Sequence, residues 1–190
     1  AALEATFTRI GAHRVRSIRK RTRAIASFNV TCKYVRRELR ELSDADREHY
    51  FKTLEVLYRT PQAEGEALYG PDFRSAAWFV REHLYGAAQR ECDHWHDDAG
   101  FLTHHIAITW QLERSLQSID PSLAAHYWDY TIDEKMVANG NYTWQNSPIF
   151  QDDWFGTIVT NSSNEHVVAT GRWAYTPVLQ NARGYSNITN

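Results

Sequence analysis

Long apolar runs are missing from this sequence. No stretch of its 190 residues approaches the roughly 20 that a bilayer-crossing helix needs, so no membrane span is expected. No leader peptide opens the chain, and a secreted protein is therefore expected to stand here in mature form. Cysteine is scarce. Cys32 and Cys92 are the only two, which excludes a four-cysteine zinc or iron–sulfur centre. There is no HExxH pair, nucleophile elbow or phosphate-cradling glycine loop, so the corresponding zinc-protease, esterase and nucleotide chemistries lose their signatures. Repeats and low-complexity tracts are absent too. With 43% hydrophobic and 13% aromatic residues, the chain reads as one globular domain over 1–190.

Charge is nearly balanced at -2 but unevenly placed. Eleven of the 21 Lys and Arg residues lie between Arg9 and Arg40, densest at Arg14, Arg16, Arg19, Lys20, Arg21 and Arg23. Such an arm suits a nucleic acid or an acidic polysaccharide. No aromatic residues interleave the charges for base stacking, so nucleic acid is disfavoured and the arm, 1–31, is read as a solvated segment.

Four triplets fit the N-glycosylation pattern, at Asn29, Asn141, Asn161 and Asn187. Four in a chain of this size point to a secreted, extracellular glycoprotein. In that compartment Cys32 and Cys92 are expected to pair as a disulfide.

Residues 1–31 show only partial helical periodicity. Ser43-Asp-Ala-Asp46 then reads as a helix cap, and Tyr50, Phe51, Leu54, Leu57 and Tyr58 repeat at helical spacing until Pro61 and Gly65 close the segment. A second helix is expected from near Pro71-Asp72, burying Phe73, Ala76, Ala77, Phe79 and Val80 and carrying His83. A third begins near Asp97-Asp98, with Phe101, Leu102, His105, Ile108, Leu112 and Leu116 on its inner face and Asp120-Pro121 at its end. Residues 132–190 are rich in Asn, Gly and Thr and read as long loops with short strands at 157–160 and 167–168.

Histidine clusters within this helical region. Five of nine fall between His83 and His105, and imidazole suits copper, zinc and non-haem iron. His83 ends one apolar helix face, His96 precedes another, and His105 lies on the same face as Phe101, Ile108 and Leu112. Two antiparallel helices would bring these three rings together at a buried interface, where metal sites are commonly built. His94 competes with His96 if the intervening loop is tight. His104 adjoins His105 but points about 100° away on a helix. His13, His49, His126 and His166 are read as surface or structural residues.

The run His96-Asp-Asp-Ala-Gly-Phe101-Leu102-Thr-His-His105, continuing to Glu113, Asp120-Pro121 and Tyr127-Trp128-Asp129, resembles the first copper-binding region of tyrosinases. Phe79-Val-Arg-Glu-His83-Leu resembles the stretch carrying the family's first ligand, and Val35 to Ser43 its opening helix. The resemblance implies a mainly α fold: the amino-terminal half of a tyrosinase-like four-helix bundle, with 32–131 as the copper-A region and 132–190 as a loop-rich segment. It implies that His83, His96 and His105 bind one copper ion. In that family two coppers, each held by three histidines, bind dioxygen between them, and phenols and catechols are oxidised. Glu113 and Asp129 would be structural partners. Thr103-His104 stands where the family usually has Pro-Trp, and Ile106 where Arg is common.

The second copper region needs a His-x-x-x-His pair and a further histidine. After His105 only His126 and His166 remain. A second ion would need ligands absent from this sequence, so a second chain or a missing C-terminal half is expected to complete the bundle, and the chain is expected to be a fragment or cleaved product. The implied function is part of a phenol or catechol oxidase acting on a small phenolic molecule and dioxygen. The alternative is a structural extracellular glycoprotein with this fold and an incomplete or inactive site.

Overall fold

The computed structural model describes residues 10–87, 93–140, 142–156 and 168–176. The chain divides into two compact units, Ala1–Val35 and Arg36–Asn190.

In the first unit, strands β1 (Gly11–Ile18) and β2 (Ile25–Cys32) form an antiparallel hairpin in which Gly11 faces Cys32 and Ile18 faces Ile25. The partial helical periodicity of this stretch is not realised. Its exposure alternates strictly along β1, the period of two that a strand imposes.

In the second unit, α1 spans Asp44–Arg59, capped by the Ser43 hydroxyl, which accepts the Asp46 N–H at 3.1 Å. The segment after it is not a simple stop. Pro61 leads directly into α2 (Gln62–Tyr69), and Gly65 lies inside that helix, pressed against Phe73. A Cβ at Gly65 would come within 2.0 Å of the Phe73 ring, so the glycine is there for close approach. Helix α3 runs Ala76–Ala87 and α4 Gly100–Ile119, both starting a few residues later than the sequence suggests.

The loop-rich reading of the C-terminal part needs one amendment. Tyr130–Ala138 is a fifth helix, α5, with the Asp129 carboxylate accepting the Thr131 N–H. Two 3-10 turns follow, at Trp144–Asn146 and Pro148–Phe150. The strand expected at 157–160, and Val167 of the pair at 167–168, lie outside the described residues. The described chain is thus mainly α, with one small two-stranded sheet.

Helix α1 packs on α3 and α4. Leu39, Leu42, Phe51, Leu57, Phe73, Leu116, Ile149, Trp154 and Trp173 form the core. Two charged clamps tie distant segments to it. Arg36 donates two bonds to Glu113 on α4, at 2.8 and 3.0 Å, and the same carboxylate accepts the Ala125 N–H at 2.9 Å. Asp133, fully buried, accepts from Arg40 (3.0 Å), Trp128 Nε1 (2.7 Å) and Tyr142 (3.0 Å). Burial alone would raise the Asp133 pKa; these donors and the Arg40 charge hold it below the ordinary carboxylate range.

Candidate metal centre

A buried hydroxyl ties the segment leading into α3 to α4. Ser115 Oγ accepts the Arg74 N–H at 2.8 Å and donates to the Arg74 carbonyl at 2.9 Å. Next to it Ser75 takes Gln62 Oε1 on its N–H and caps the Trp78 N–H. These bonds fix where α3 begins, and His83 lies two turns along it.

His96 sits in the turn before α4, and Asp93 holds that turn. One Asp93 oxygen accepts the N–H groups of Trp95 and His96, each at 3.0 Å, and the other lies 2.6 Å from His96 Nδ1. His105, one turn into α4, places Nδ1 2.7 Å from the Phe101 carbonyl. A carbonyl can only accept, so His105 Nδ1 carries the proton and Nε2 is left with its lone pair. The Asp93 carboxylate selects the same tautomer in neutral His96.

The three rings converge. Centroids are 5.0 Å apart for His83 and His96, 5.4 Å for His96 and His105, and 5.6 Å for His83 and His105. One nitrogen from each lies within 4.8 Å of the other two. Burial lowers the His83 pKa, and the neighbouring imidazoles of His96 and His105 lower it further, favouring the neutral form that binds metal. Three imidazole donors, two of them with Nδ1 already engaged by Asp93 and the Phe101 carbonyl, fit a copper- or zinc-type ion. Among the described residues no other group of three metal-binding side chains comes together.

The competing histidines are placed elsewhere. His104 stacks flat on Trp95, centroids 5.2 Å apart, and its buried Nδ1 has no partner. Neither it nor exposed His94 joins the trio. His126 Nδ1 accepts the Arg37 N–H, and His49 is paired with Asp120. Sequence reasoning missed two supporting residues. Asp93 was readable as an Asp three places before a candidate ligand; Trp95, edge-on to His83 and His105, depends on tertiary packing. Trp95 also explains Gly86, where a Cβ would overlap the indole.

Of the modification sites, Asn29 is exposed on β2, while Asn141, Asn161 and Asn187 lie outside the described residues. Cys92 does as well, while Cys32, half-buried at the end of β2, is a free thiol in the described structure rather than half of the expected bridge. No helix among the described residues is long and apolar enough to cross a membrane.

Comparison with known proteins agrees with the geometry. Residues 72–189 match the model of the common central domain of tyrosinase. The 5,6-dihydroxyindole-2-carboxylic acid oxidase of Bos taurus is 31% identical over 123 residues, covering 50% of this chain and 23% of the relative. Tyrosinase-like protein 2 of Margaritifera margaritifera is 30% identical over 122 residues, covering 64% of this chain and 23% of the relative. The chain thus spans about a quarter of the length of the curated relatives it matches. With a family match over well more than half its residues, the chain belongs to the tyrosinase family, a family of copper oxidases.

Proposed function

We propose that His83, His96 and His105 hold one copper ion, and that this chain is one part of a paired-copper phenol or catechol oxidase. The observation that carries the reading is the convergence of three imidazoles, two of which are held in the tautomer that leaves Nε2 available. Bound copper would supply the redox centre for dioxygen chemistry. The residues present do the rest: Asp93 and the Phe101 carbonyl keep protons on the outward nitrogens, and Trp95 walls one side of the ligand set. The Phe101 ring, 4.5 Å from that of His105 and partly exposed, offers an aromatic surface where a small phenol could lie.

A second ion needs histidines from elsewhere, either a further segment of a longer polypeptide or a second chain. Two features support such a complement. Leu102, Ile106 and Trp110, at i, i+4 and i+8 on α4, are 63%, 67% and 56% exposed. Beside them a groove of about 370 Å³ runs between α1, α3 and α4, lined by Leu54, Leu57, Phe79, Val80, Ile108 and Leu112. Val80 and Ile108 are each one turn from a proposed ligand, so a helix covering the groove would end near the histidines. Residues 32–131 then form the copper-A region of a single domain. In this reading the protein is secreted and glycosylated at Asn29, Asn141, Asn161 and Asn187.

Copper titration of the chain tests the first claim. One ion per chain is expected, and a stoichiometry unchanged in His83→Ala and His105→Ala would reject the site. Oxidation of a simple catechol after supplying the complementary half tests the second. A structural glycoprotein with an incomplete site is the other reading, favoured by the single histidine trio among the described residues; it expects copper binding without turnover.

A further inference from the structure

We propose that the β1–β2 hairpin is a docking face for an acidic polysaccharide, a glycan bearing repeated sulfate or carboxylate groups. Residues 10–35 carry Arg14, Arg16, Arg19, Lys20, Arg21, Arg23 and Lys33, seven of the chain's 21 cations, and none of its 23 acidic residues. The other 14 cations share the remaining chain with all the carboxylates, which leaves the hairpin strongly positive and the rest negative. All seven cationic side chains are exposed, and the hairpin itself supplies no carboxylate to pair with any of them. In contrast, Arg36, Arg37, Arg40, Arg47 and Arg59 just beyond the hairpin are each paired. Several like charges closer than the roughly 8 Å screening length at physiological salt repel one another, and a polyanion relieves that repulsion.

The scaffold orders these charges. Arg14 and Arg16 project from the same face of β1, about 7 Å apart by strand geometry. Opposite Arg16 on β2 stands Ser27, a small polar group able to bond a sugar hydroxyl. At the tip the Arg19 N–H donates to the Ala24 carbonyl at 3.0 Å and the Arg23 N–H to the Arg19 carbonyl at 2.9 Å, with Arg23 at φ 55. Four cations are thereby displayed on a closed turn.

The same face argues for a glycan over other polyanions. Single-stranded nucleic acid binding leans on aromatic platforms, and the hairpin's one aromatic residue, Phe28, pairs with Val15 on the opposite face. Membrane-surface binding needs a broad apolar face beside the cations, whereas the basic face carries only the Ile18–Ile25 pair and the alanine at 12. The four Asn-x-Ser/Thr acceptor triplets of the chain suit a secretory route, where sulfated and carboxylated glycans are the abundant polyanions.

The test measures binding of the full chain to dextran sulfate, neutral dextran, double-stranded DNA and phosphatidylserine vesicles across a salt series. Binding is expected to dextran sulfate and not to neutral dextran, with affinity falling steeply as salt rises, as counterion release dictates. Replacing Arg14, Arg16, Lys20 and Arg21 with glutamine should weaken it at least tenfold and flatten the salt dependence. An Arg14→Lys, Arg16→Lys variant keeps the charge and should keep the binding, which separates lost charge from a damaged fold. Undiminished binding by the glutamine variant overturns the proposal. So does equal or tighter binding of DNA or vesicles than of dextran sulfate.

Discussion

Asp93 grips His96 twice, through its backbone N–H at 3.0 Å and through ring Nδ1 at 2.6 Å, so one side chain sets both the turn and the ring orientation. Burial would raise the Asp93 pKa, but the bonds from His96 and Trp95 hold it below the usual carboxylate value, so it stays an acceptor at neutral pH. Asp93→Ala is therefore expected to weaken copper affinity about 10–100-fold while leaving the stoichiometry at one. A chelator-competition titration reads this, and an affinity equal to wild type would show that Asp93 does not orient the ligand.

Removing a ligand should cost more than removing its support. His83→Ala and His105→Ala are expected to lose affinity beyond the Asp93→Ala range, with thermal unfolding of the metal-free protein little changed. His104→Ala, outside the trio, should bind copper as wild type does. Equal losses for His104 and His105 would contradict the arrangement.

Gly65 and Phe73 make a packing prediction. Alanine at 65 gains about 1 kcal/mol of helix propensity. It must, however, displace a ring that is 0% exposed, and such overpacking typically costs about 1–3 kcal/mol. Gly65→Ala is expected to lower the urea midpoint at unchanged m-value; a raised midpoint would mean that Phe73 moves freely.

Glu113 offers a third handle. Its pKa is lowered chiefly by the Arg36 bonds, and it also receives the Ala125 N–H. Glu113→Gln removes the charge and one bidentate acceptor, so a loss of about 1–3 kcal/mol is expected by denaturant unfolding. Because Arg36 is 44% exposed, the loss should fall at the low end and shrink further in high salt.

Stability should also depend on pH in a defined direction. Burial first, and the Arg37 charge next, push the His126 pKa below 6.5, although Asp46 and Glu113 pull the other way. The unfolded histidine takes up a proton near pH 6.5 while the folded one resists. Stability is therefore complete above that pH and declines as pH falls towards the lower folded value. Glu113 and Asp133, both lowered, add a second decline as pH falls below the ordinary carboxylate range. Urea unfolding at pH 7.5 and 5.5 should show the first step, and His126→Gln should flatten it. Equal stability at the two values would remove His126 from the account.

The convergence of His83, His96 and His105 was legible because helical spacing and the His96–Phe101–His105 run are local features of sequence. So was α1, whose cap and apolar stripe agree with each other. What escaped was mostly tertiary. Leu102 has the right spacing for an inner face, yet it is 63% exposed, on the same open stripe of α4 as Ile106 and Trp110. Helix α5 has nine residues, too few for periodicity to declare itself, and it is held by Asp133 reaching Arg40, Trp128 and Tyr142. The hairpin was hidden by its arginines, which drew attention to charge when the alternation of Arg14, Val15, Arg16 and Ser17 was the conformational signal.

His96 leaves 40% of its side chain open to water and is the one exposed member of the histidine trio. An ion held there has a doorway. If copper is the ion, as proposed, it is expected to enter after folding is complete, and a small chelator is expected to strip it from the native protein without waiting for a global opening. A complement that closed that doorway would turn an exchangeable ion into a kinetically trapped one.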